Sequence, residues 1–111
     1  MNSFERFQSA VTDEDDTITV AAFGELDLDS VDDLREIVGR CLEVPGVRRL
    51  VVNMSQVTFC DCAALGALME ARETTLRRRM SFELTDVKEP IVMRLLTLTG
   101  IDAVFGLNPP A

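Results

Sequence analysis

Two cysteines flank an aspartate in residues 57–68, where an apolar segment passes into a run of small, helix-forming residues. Thiols beside a carboxylate can bind a metal, react as a redox pair or provide a nucleophile. A zinc site normally needs four nitrogen or sulfur ligands, and the chain offers three cysteines and no histidine. Histidine is also the commonest general base. We therefore expect no metal, no cofactor and no enzymatic activity.

The three cysteines have different expected roles. An odd number of thiols without a secretion signal does not indicate a disulfide framework. Cys41 and Cys60 fit the usual behaviour of a free cysteine as a small buried hydrophobe. Cys62 falls where a helix begins, with Asp61 or Cys62 as its cap, and unpaired backbone N–H groups there favour negative charge. Residue 62 is thus suited to a thiolate or to a phosphate.

Composition restricts the classes of partner. The chain has 111 residues, a hydrophobic fraction of 47% and a formal net charge of −8. Nucleic acids and anionic membrane surfaces attract basic patches, so we expect neither as a partner. The first residues do not form a signal peptide, and no apolar run approaches the ~18 residues of a transmembrane helix. The expectation is one domain over residues 1–111 in the cytoplasm.

Alternating hydrophobicity predicts a hairpin near the amino terminus. Ile18, Val20 and Ala22 alternate with more polar neighbours, which is typical of a strand. The acidic residues 13–16 form a turn before it. The first strand of the hairpin would contain three spaced apolar residues, Phe4, Phe7 and Val11.

A loop at residues 24–29 then leads into the first predicted helix. Asp29 or Ser30 can cap this helix, and Ser30 with Asp33 would form a capping box. Residues 44–46 end it. Its apolar positions recur with helical spacing and form one stripe, Val31, Leu34, Ile37, Val38, Cys41 and Leu42.

The middle of the chain predicts the central strand. Residues 50–52, with Val47 and Met54 beside them, form an almost continuous apolar run, as in a strand covered on both faces. A short break at residues 55–56 would separate this strand from the cysteine segment. The second helix follows at residues 63–76, with the stripe Leu65, Leu68, Met69 and Leu76.

The carboxyl-terminal third predicts a strand, a helix and a last short strand. Residues 80–84 alternate as a strand, and Pro90 fits the first turn of a helix that Gly100 would end. Val104 and Phe105 would form the last strand. The helix would bury five apolar residues, Ile91, Val92, Leu95, Leu96 and Leu98. The order β-β-α-β-α-β-α favours a mixed sheet packed with helices.

Three blocks of sequence, in this order, resemble STAS domains of the anti-sigma factor antagonist type. They are Gly-Glu-Leu-Asp at 24–27, Val-Val-Asn-Met-Ser-Gln-Val-Thr-Phe-Cys-Asp at 51–61 and Leu-Thr-Leu-Thr-Gly-Ile at 96–101. The resemblance covers essentially the whole chain. It implies the α/β STAS fold, a mixed β-sheet of about four to five strands packed with three main helices.

The resemblance also implies a function in partner switching. An antagonist of this family binds an anti-sigma factor, usually an ATP-dependent serine kinase, and so releases a sigma factor for transcription, often in a stress response. The kinase phosphorylates the serine of a D-S-[ST]-G-L motif, and a phosphatase reverses the reaction. Phosphate adds about −1.5 to −2 charge, which disrupts the contact.

The motif maps onto the cysteine segment with departures. Asp61 and Leu65 match, whereas Cys62 replaces the phosphoacceptor serine. Ala63 removes the neighbouring hydroxyl, and Ala64 replaces the glycine, which favours helix by roughly 0.5–1 kcal/mol. We therefore expect no switching by phosphorylation at residue 62.

The implied partner surface combines the loop before the first helix with the start of the second. Its residues are Glu25, Asp27, Asp29, Asp61, Cys62, Ala63, Leu65 and Met69. Alternatives remain open: a thiol switch at Cys62, a degenerate paralogue that binds another regulator, an accessory STAS domain, or a homodimer. Ser55 and Thr58 are the nearby hydroxyls that could replace the phosphosite. Asn53 also departs from the family, which often has Asp there.

Overall fold

The computed structural model describes residues 8–107; Phe4, Phe7 and the tail at 108–111 lie outside this range. The described elements follow one another as β1 Gln8–Glu14, β2 Thr17–Leu26, a 3-10 turn Leu28–Ser30, α1 Val31–Leu42, β3 Arg49–Cys60, α2 Cys62–Arg77, β4 Ser81–Thr85, α3 Pro90–Thr99 and α4 Ile101–Val104. Within residues 8–107 no helix combines the length and the hydrophobicity needed to cross a membrane.

The four described strands form one mixed sheet in the order β1-β2-β3-β4. β1 pairs antiparallel with β2, which confirms the predicted hairpin around the acidic turn. β2 and β3 are parallel, as are β3 and β4. This is the α/β architecture that the order of elements predicted. Parallel pairing brings the carboxyl ends of β2 and β3 to one edge of the sheet.

Among residues 8–107, the core lies on one face of the sheet only. Side chains of β2 and β3 alternate between buried and half-buried positions, with Val20 and Val52 completely inaccessible to solvent. Val51 and Asn53 point to the other face and are half-buried. The prediction that β3 is covered on both faces is therefore wrong. The apolar run in its sequence reflects a few aliphatic residues on the open face rather than a second layer of helices.

β3 is longer than predicted. It continues through Ser55 and Gln56, where a break was expected, and ends at Cys60. The two pairing irregularities with β2, near Phe23 and after Gly24, absorb extra residues of β3 without ending the strand. As a result Leu26 and Cys60 are paired at the end of both strands.

Helices α1 and α2 cover the buried face of the sheet. The stripe of α1 is confirmed, and Cys41 lies in it at 4% exposure. On α2, Leu65 and Leu68 are buried as predicted, whereas Leu76 is exposed near the helix end. The side chains of Arg35 and Glu70 join the two helices by an ion pair with an Nε–Oε2 distance of 2.6 Å.

The carboxyl-terminal elements differ in part from the prediction. Pro90 occupies the first turn of α3, and Gly100 ends it with a φ of 77°, as expected. Val104 and Phe105, predicted as a strand, instead belong to the short helix α4 and its cap. The Phe105 ring packs 5.6 Å from that of Phe82 on β4, so the segment turns back onto the sheet instead of adding a strand to it.

The buried face of α3 is narrower than predicted. Val92 and Leu96 are buried, and Leu95 is half-buried. Ile91 and Leu98, expected in the core, are 57% and 72% exposed. Ile91, Leu95 and Leu98 form a row beside the buried row of Val92 and Leu96, and only the second row is fully buried in the core.

Candidate functional site

The cysteine segment lies at the edge of the sheet where β2 and β3 end. In open sheets with parallel strands, ligands commonly bind outside the carboxyl ends of the strands. Residues 27–30 turn away from β2 at this edge, and α2 begins directly after β3. The backbone N–H of Asp61 donates to the carbonyl of Leu26 at 3.1 Å, which holds the two chain segments together.

Asp61 organises the site through both carboxylate oxygens. Oδ1 accepts the backbone N–H of Ala64 at 3.0 Å, which makes Asp61, one of the two caps that the sequence offered, the N-cap of α2. Oδ2 accepts the backbone N–H of Leu28 at 3.1 Å, across 33 residues of sequence. One side chain thus fixes the loop relative to the helix.

The loop has a capping box, but not the predicted one. Oδ1 of Asp27 accepts the backbone N–H of Asp29 at 3.0 Å, and the Ser30 Oγ accepts the backbone N–H of Asp27 at 2.8 Å. Ser30 precedes α1 but makes no side-chain cap to it, so the predicted pair with Asp33 is wrong. The intervening 3-10 turn moves the box three residues towards the amino terminus and buries Ser30.

The predicted partner residues divide by accessibility. Asp29 and Cys62 are exposed, and Glu25, Asp27 and Asp61 are half-buried. These five residues, here called the acidic edge, belong to the end of β2, the loop that follows it and the start of α2. Two further predicted residues beside it are half-buried, Ala63 and Met69. Leu65 is only 1% exposed, so it supports the surface from the core and does not lie on it.

The thiols on either side of Asp61 are in different surroundings. Cys60 is buried at the end of β3, and this burial, together with the Asp61 carboxylate, raises the pKa of its thiol to about 12. Burial also raises the pKa of Cys41. Cys62 is exposed as the first residue of α2. Only this thiol is accessible, which fits the separate roles expected from the sequence.

Within the described residues, no group of three or more Cys, Asp or Glu side chains is arranged to hold a metal ion. Asp27 caps the 3-10 turn and Asp61 caps α2, so these two carboxylates are already engaged. The carboxylates of Glu25 and Asp29 are not grouped with them as metal ligands. Chemically, the site is a surface that can bind cationic groups of another molecule.

A cleft of about 360 Å³ separates the acidic edge from α3. Phe59, Asp61 and Cys62 line one wall, and Ile91, Arg94 and Leu98 the other. Sequence reasoning missed Arg94, a cation that lines the same cleft as Cys62. The signal was its isolation: Arg94 is the only charged residue of α3, whose neighbours are apolar or threonine.

The substituted Asn53 has a structural role away from the acidic edge. Its Nδ2 donates to Oδ2 of Asp86 at 3.1 Å, while its Oδ1 accepts the backbone N–H of Ser55 at 2.9 Å. An aspartate at residue 53 could not donate to Asp86, so the amide suits this pair. Ser55 and Thr58 both lie within β3, with Thr58 exposed and Ser55 half-buried.

Comparisons with known proteins agree with this fold. The family model of the STAS domain matches residues 8–110. An anti-sigma factor antagonist from Mycobacterium paratuberculosis is 25% identical, with a TM-score of 0.82, over 99% of this chain and 92% of that one. SpoIIAA in its unphosphorylated form is 20% identical, with a TM-score of 0.70, over 94% and 100%. Bacillus SpoIIAA in its phosphorylated form is 18% identical, with a TM-score of 0.65, over 88% and 86%.

Proposed function

The chain belongs to the STAS domain family, and we propose that it acts as an anti-sigma factor antagonist in the cytoplasm. It binds an anti-sigma factor of the serine-kinase type through the acidic edge and so releases a sigma factor for transcription. The likeness to the mycobacterial antagonist, at 25% identity over nearly the full length of both chains, supports this role.

The observation that carries the proposal is the double hydrogen bond of Asp61. Its carboxylate fixes the exposed start of α2 next to the loop of acidic residues, with acceptor distances of 3.0 and 3.1 Å. A preorganised surface binds without ordering its own loop, which lowers the entropic cost of association. The carboxylates of Glu25 and Asp29 would then contact basic side chains of the anti-sigma factor.

Residue 62 distinguishes this chain from an antagonist controlled by serine phosphorylation. Cys62 occupies the exposed helix start, but a thiol is not the hydroxyl that a serine kinase modifies. Ala63 offers no substitute hydroxyl. We propose that the chain stays competent to bind its partner when the kinase and ATP are present.

Charge reversal on the acidic edge tests the partner surface. We expect Asp29→Lys to weaken binding to the cognate anti-sigma factor by at least about tenfold in calorimetric titrations, because an exposed carboxylate becomes a like charge. Glu14→Lys is the matched control. It reverses an exposed carboxylate at the hairpin, at the opposite end of the ten-residue strand β2. Equal loss in both variants, or no binding by the folded wild type to any anti-sigma factor of its cell, contradicts the proposal.

A thiol switch at the same position is the second candidate, favoured by the contrast between exposed Cys62 and the two buried cysteines. Hydrogen peroxide would transfer one oxygen atom to the Cys62 thiolate, giving a sulfenate and releasing water, which adds a polar group to the contact. We expect peroxide to weaken partner binding in the wild type and not in Cys62→Ser. An equal effect on both proteins would exclude this switch.

A further inference from the structure

Exposed apolar side chains gather around Asp61. Leu28 and Leu98 are the most exposed large apolar residues of 8–107, at 71% and 72%, and Ile91 and Phe59 are exposed as well. The remaining exposed large apolar residues of this range lie on three different elements, β1, the end of α2 and α4: Val11, Leu76 and Val104. Single exposed apolar residues are normal on a protein surface, whereas a group of them marks an interaction site.

Asp61 connects the four residues of this group. Its side chain accepts the backbone N–H of Leu28. It also lines the cleft of about 360 Å³ between the start of α2 and α3, together with the other three residues. Cys62 lines the same cleft. The cleft is therefore continuous with the acidic edge, because Asp61 and Cys62 belong to both.

The charges in the cleft offset each other. Among the described residues that line it, the charged ones are Asp61 on one wall and Arg94 on the other. Both carboxylate oxygens of Asp61 already accept backbone N–H groups. The rest of the described lining is apolar or thiol: Phe59, Cys60, Cys62, Ile91, Leu95 and Leu98. An uncharged apolar group therefore fits the cleft better than an ion does.

We infer that the anti-sigma factor buries a large apolar side chain in this cleft, while basic residues beside that anchor pair with the carboxylates of the acidic edge. The cleft volume, about 360 Å³, lies near the lower end of the roughly 300–1,000 Å³ range of small-molecule pockets, so it has room for one large side chain. Binding energy in protein interfaces concentrates in such apolar pockets, which a polar rim surrounds. The acidic edge supplies that rim on one side, because it shares Asp61 and Cys62 with the cleft.

An apolar anchor of this kind rests on the proposed function and adds a requirement on the partner, which must carry an exposed apolar residue next to its basic ones. The two kinds of contact have different physical signatures. Exposed charge pairs at the rim mainly affect association, and salt weakens them. Burial of apolar surface gives a negative heat-capacity change of binding. Both contributions can therefore be measured separately in one complex.

Serine substitutions on the exposed wall of the cleft test the anchor. The cognate anti-sigma factor is titrated calorimetrically at several temperatures and salt concentrations. Ile91→Ser and Leu98→Ser should each weaken binding at least about fivefold and make the heat-capacity change less negative, with the salt dependence of the wild type. Leu76→Ser is the matched control, because this exposed leucine lies about 20 Å along α2 from Cys62. It should change the affinity less than about twofold. Urea unfolding checks that each variant is folded.

Asp29→Lys, titrated beside these variants, separates the anchor from the proposed function. Weaker binding of Asp29→Lys with wild-type affinity in Ile91→Ser and Leu98→Ser would overturn the apolar anchor and leave the proposed function in place. Equal losses in Leu76→Ser and the two cleft variants, or an unchanged heat capacity of binding in the cleft variants, would also overturn the anchor. No binding by the folded wild type would overturn both the anchor and the proposed function.

Discussion

The acidic edge and helix α3 face each other across one cleft, but different forces hold them in place. The acidic edge is positioned by hydrogen bonds, with Asp61 bonded to both the loop and α2 and with Asp27 bonded to Ser30. α3 is held by burial of Val92 and Leu96. Hydrogen bonds fix direction, whereas apolar burial fixes only which side faces inward. The first region therefore has a defined polar geometry, and the second leaves an apolar row exposed.

The two faces of α3 provide the largest expected contrast. Leu96 is completely buried, so Leu96→Ala should lower the free energy of unfolding by about 2–5 kcal/mol. Leu98 is 72% exposed, so Leu98→Ala should change it by less than about 0.5 kcal/mol. Urea unfolding measures both. Similar losses in the two variants would mean that Leu98 is covered and that α3 has no exposed apolar row.

On the acidic edge, removal of one carboxylate should release two chain segments. Asp61→Ala deletes the N-cap of α2 and the bond to Leu28, and should lower the free energy of unfolding by about 1–3 kcal/mol. Asp29→Ala removes an exposed carboxylate of the same edge, which accepts no hydrogen bond from the described residues, and should cost less than about 0.5 kcal/mol. Amide exchange in residues 27–30 should accelerate only in Asp61→Ala; acceleration in both variants would contradict the role of Asp61.

Much of this architecture was predictable because it follows from local patterns. The hairpin and the stripe of α1 depend on periodicity, and the end of α3 depends on a glycine; the sequence shows both directly. The structure gives Gly100 a left-handed φ of 77°, as such a cap requires. That α2 is capped at Asp61 or Cys62 was predictable for the same reason, and the structure assigns the cap to Asp61. Its second bond, to Leu28, was not, because it joins residues that only the parallel pairing of β2 and β3 brings together.

The errors share one cause: a sequence shows which residues are apolar but not which of them find a neighbour. Val51 and Leu98 are apolar residues on faces that the described fold leaves open. The same limit hid Arg94, whose position opposite Cys62 depends on how α3 packs against the end of β3. The partner role of the acidic edge was taken from a family resemblance and stays a proposal.

The buried thiol of Cys60, next to the acidic edge, should make stability depend on alkaline pH. Cys60 has a pKa of about 12 in the folded chain, against an ordinary value of 9.0. Between these values the unfolded chain loses the proton and the folded chain keeps it, so stability is complete below about pH 9 and falls as pH rises towards 12. At pH 10 the loss relative to pH 8 should be roughly 1 kcal/mol larger in the wild type than in Cys60→Ala. Equal pH dependence in both proteins would contradict the burial of this thiol.

The smallest expected effect on stability concerns the exposed thiol. Cys62→Ser should change the free energy of unfolding by less than about 0.5 kcal/mol, since the side chain is exposed at the helix start.

In the native wild type, an alkylating reagent should modify Cys62 first, while Cys41 and Cys60 react only after unfolding. Peptide mass spectrometry measures the order. Simultaneous modification of all three cysteines would remove the difference between the two sides of Asp61.

The most direct test of the proposed function combines the cognate anti-sigma kinase with ATP and three forms of the chain: wild type, Cys62→Ser and Cys62→Ala. Intact mass and partner binding are measured together. We expect one phosphate on Cys62→Ser, followed by loss of binding, because the helix start and its Asp61 cap are in place and only the hydroxyl is missing. The wild type and Cys62→Ala should remain unmodified and bound. Phosphate on the wild type, or wild-type binding that ATP abolishes, would contradict an antagonist that phosphorylation cannot switch.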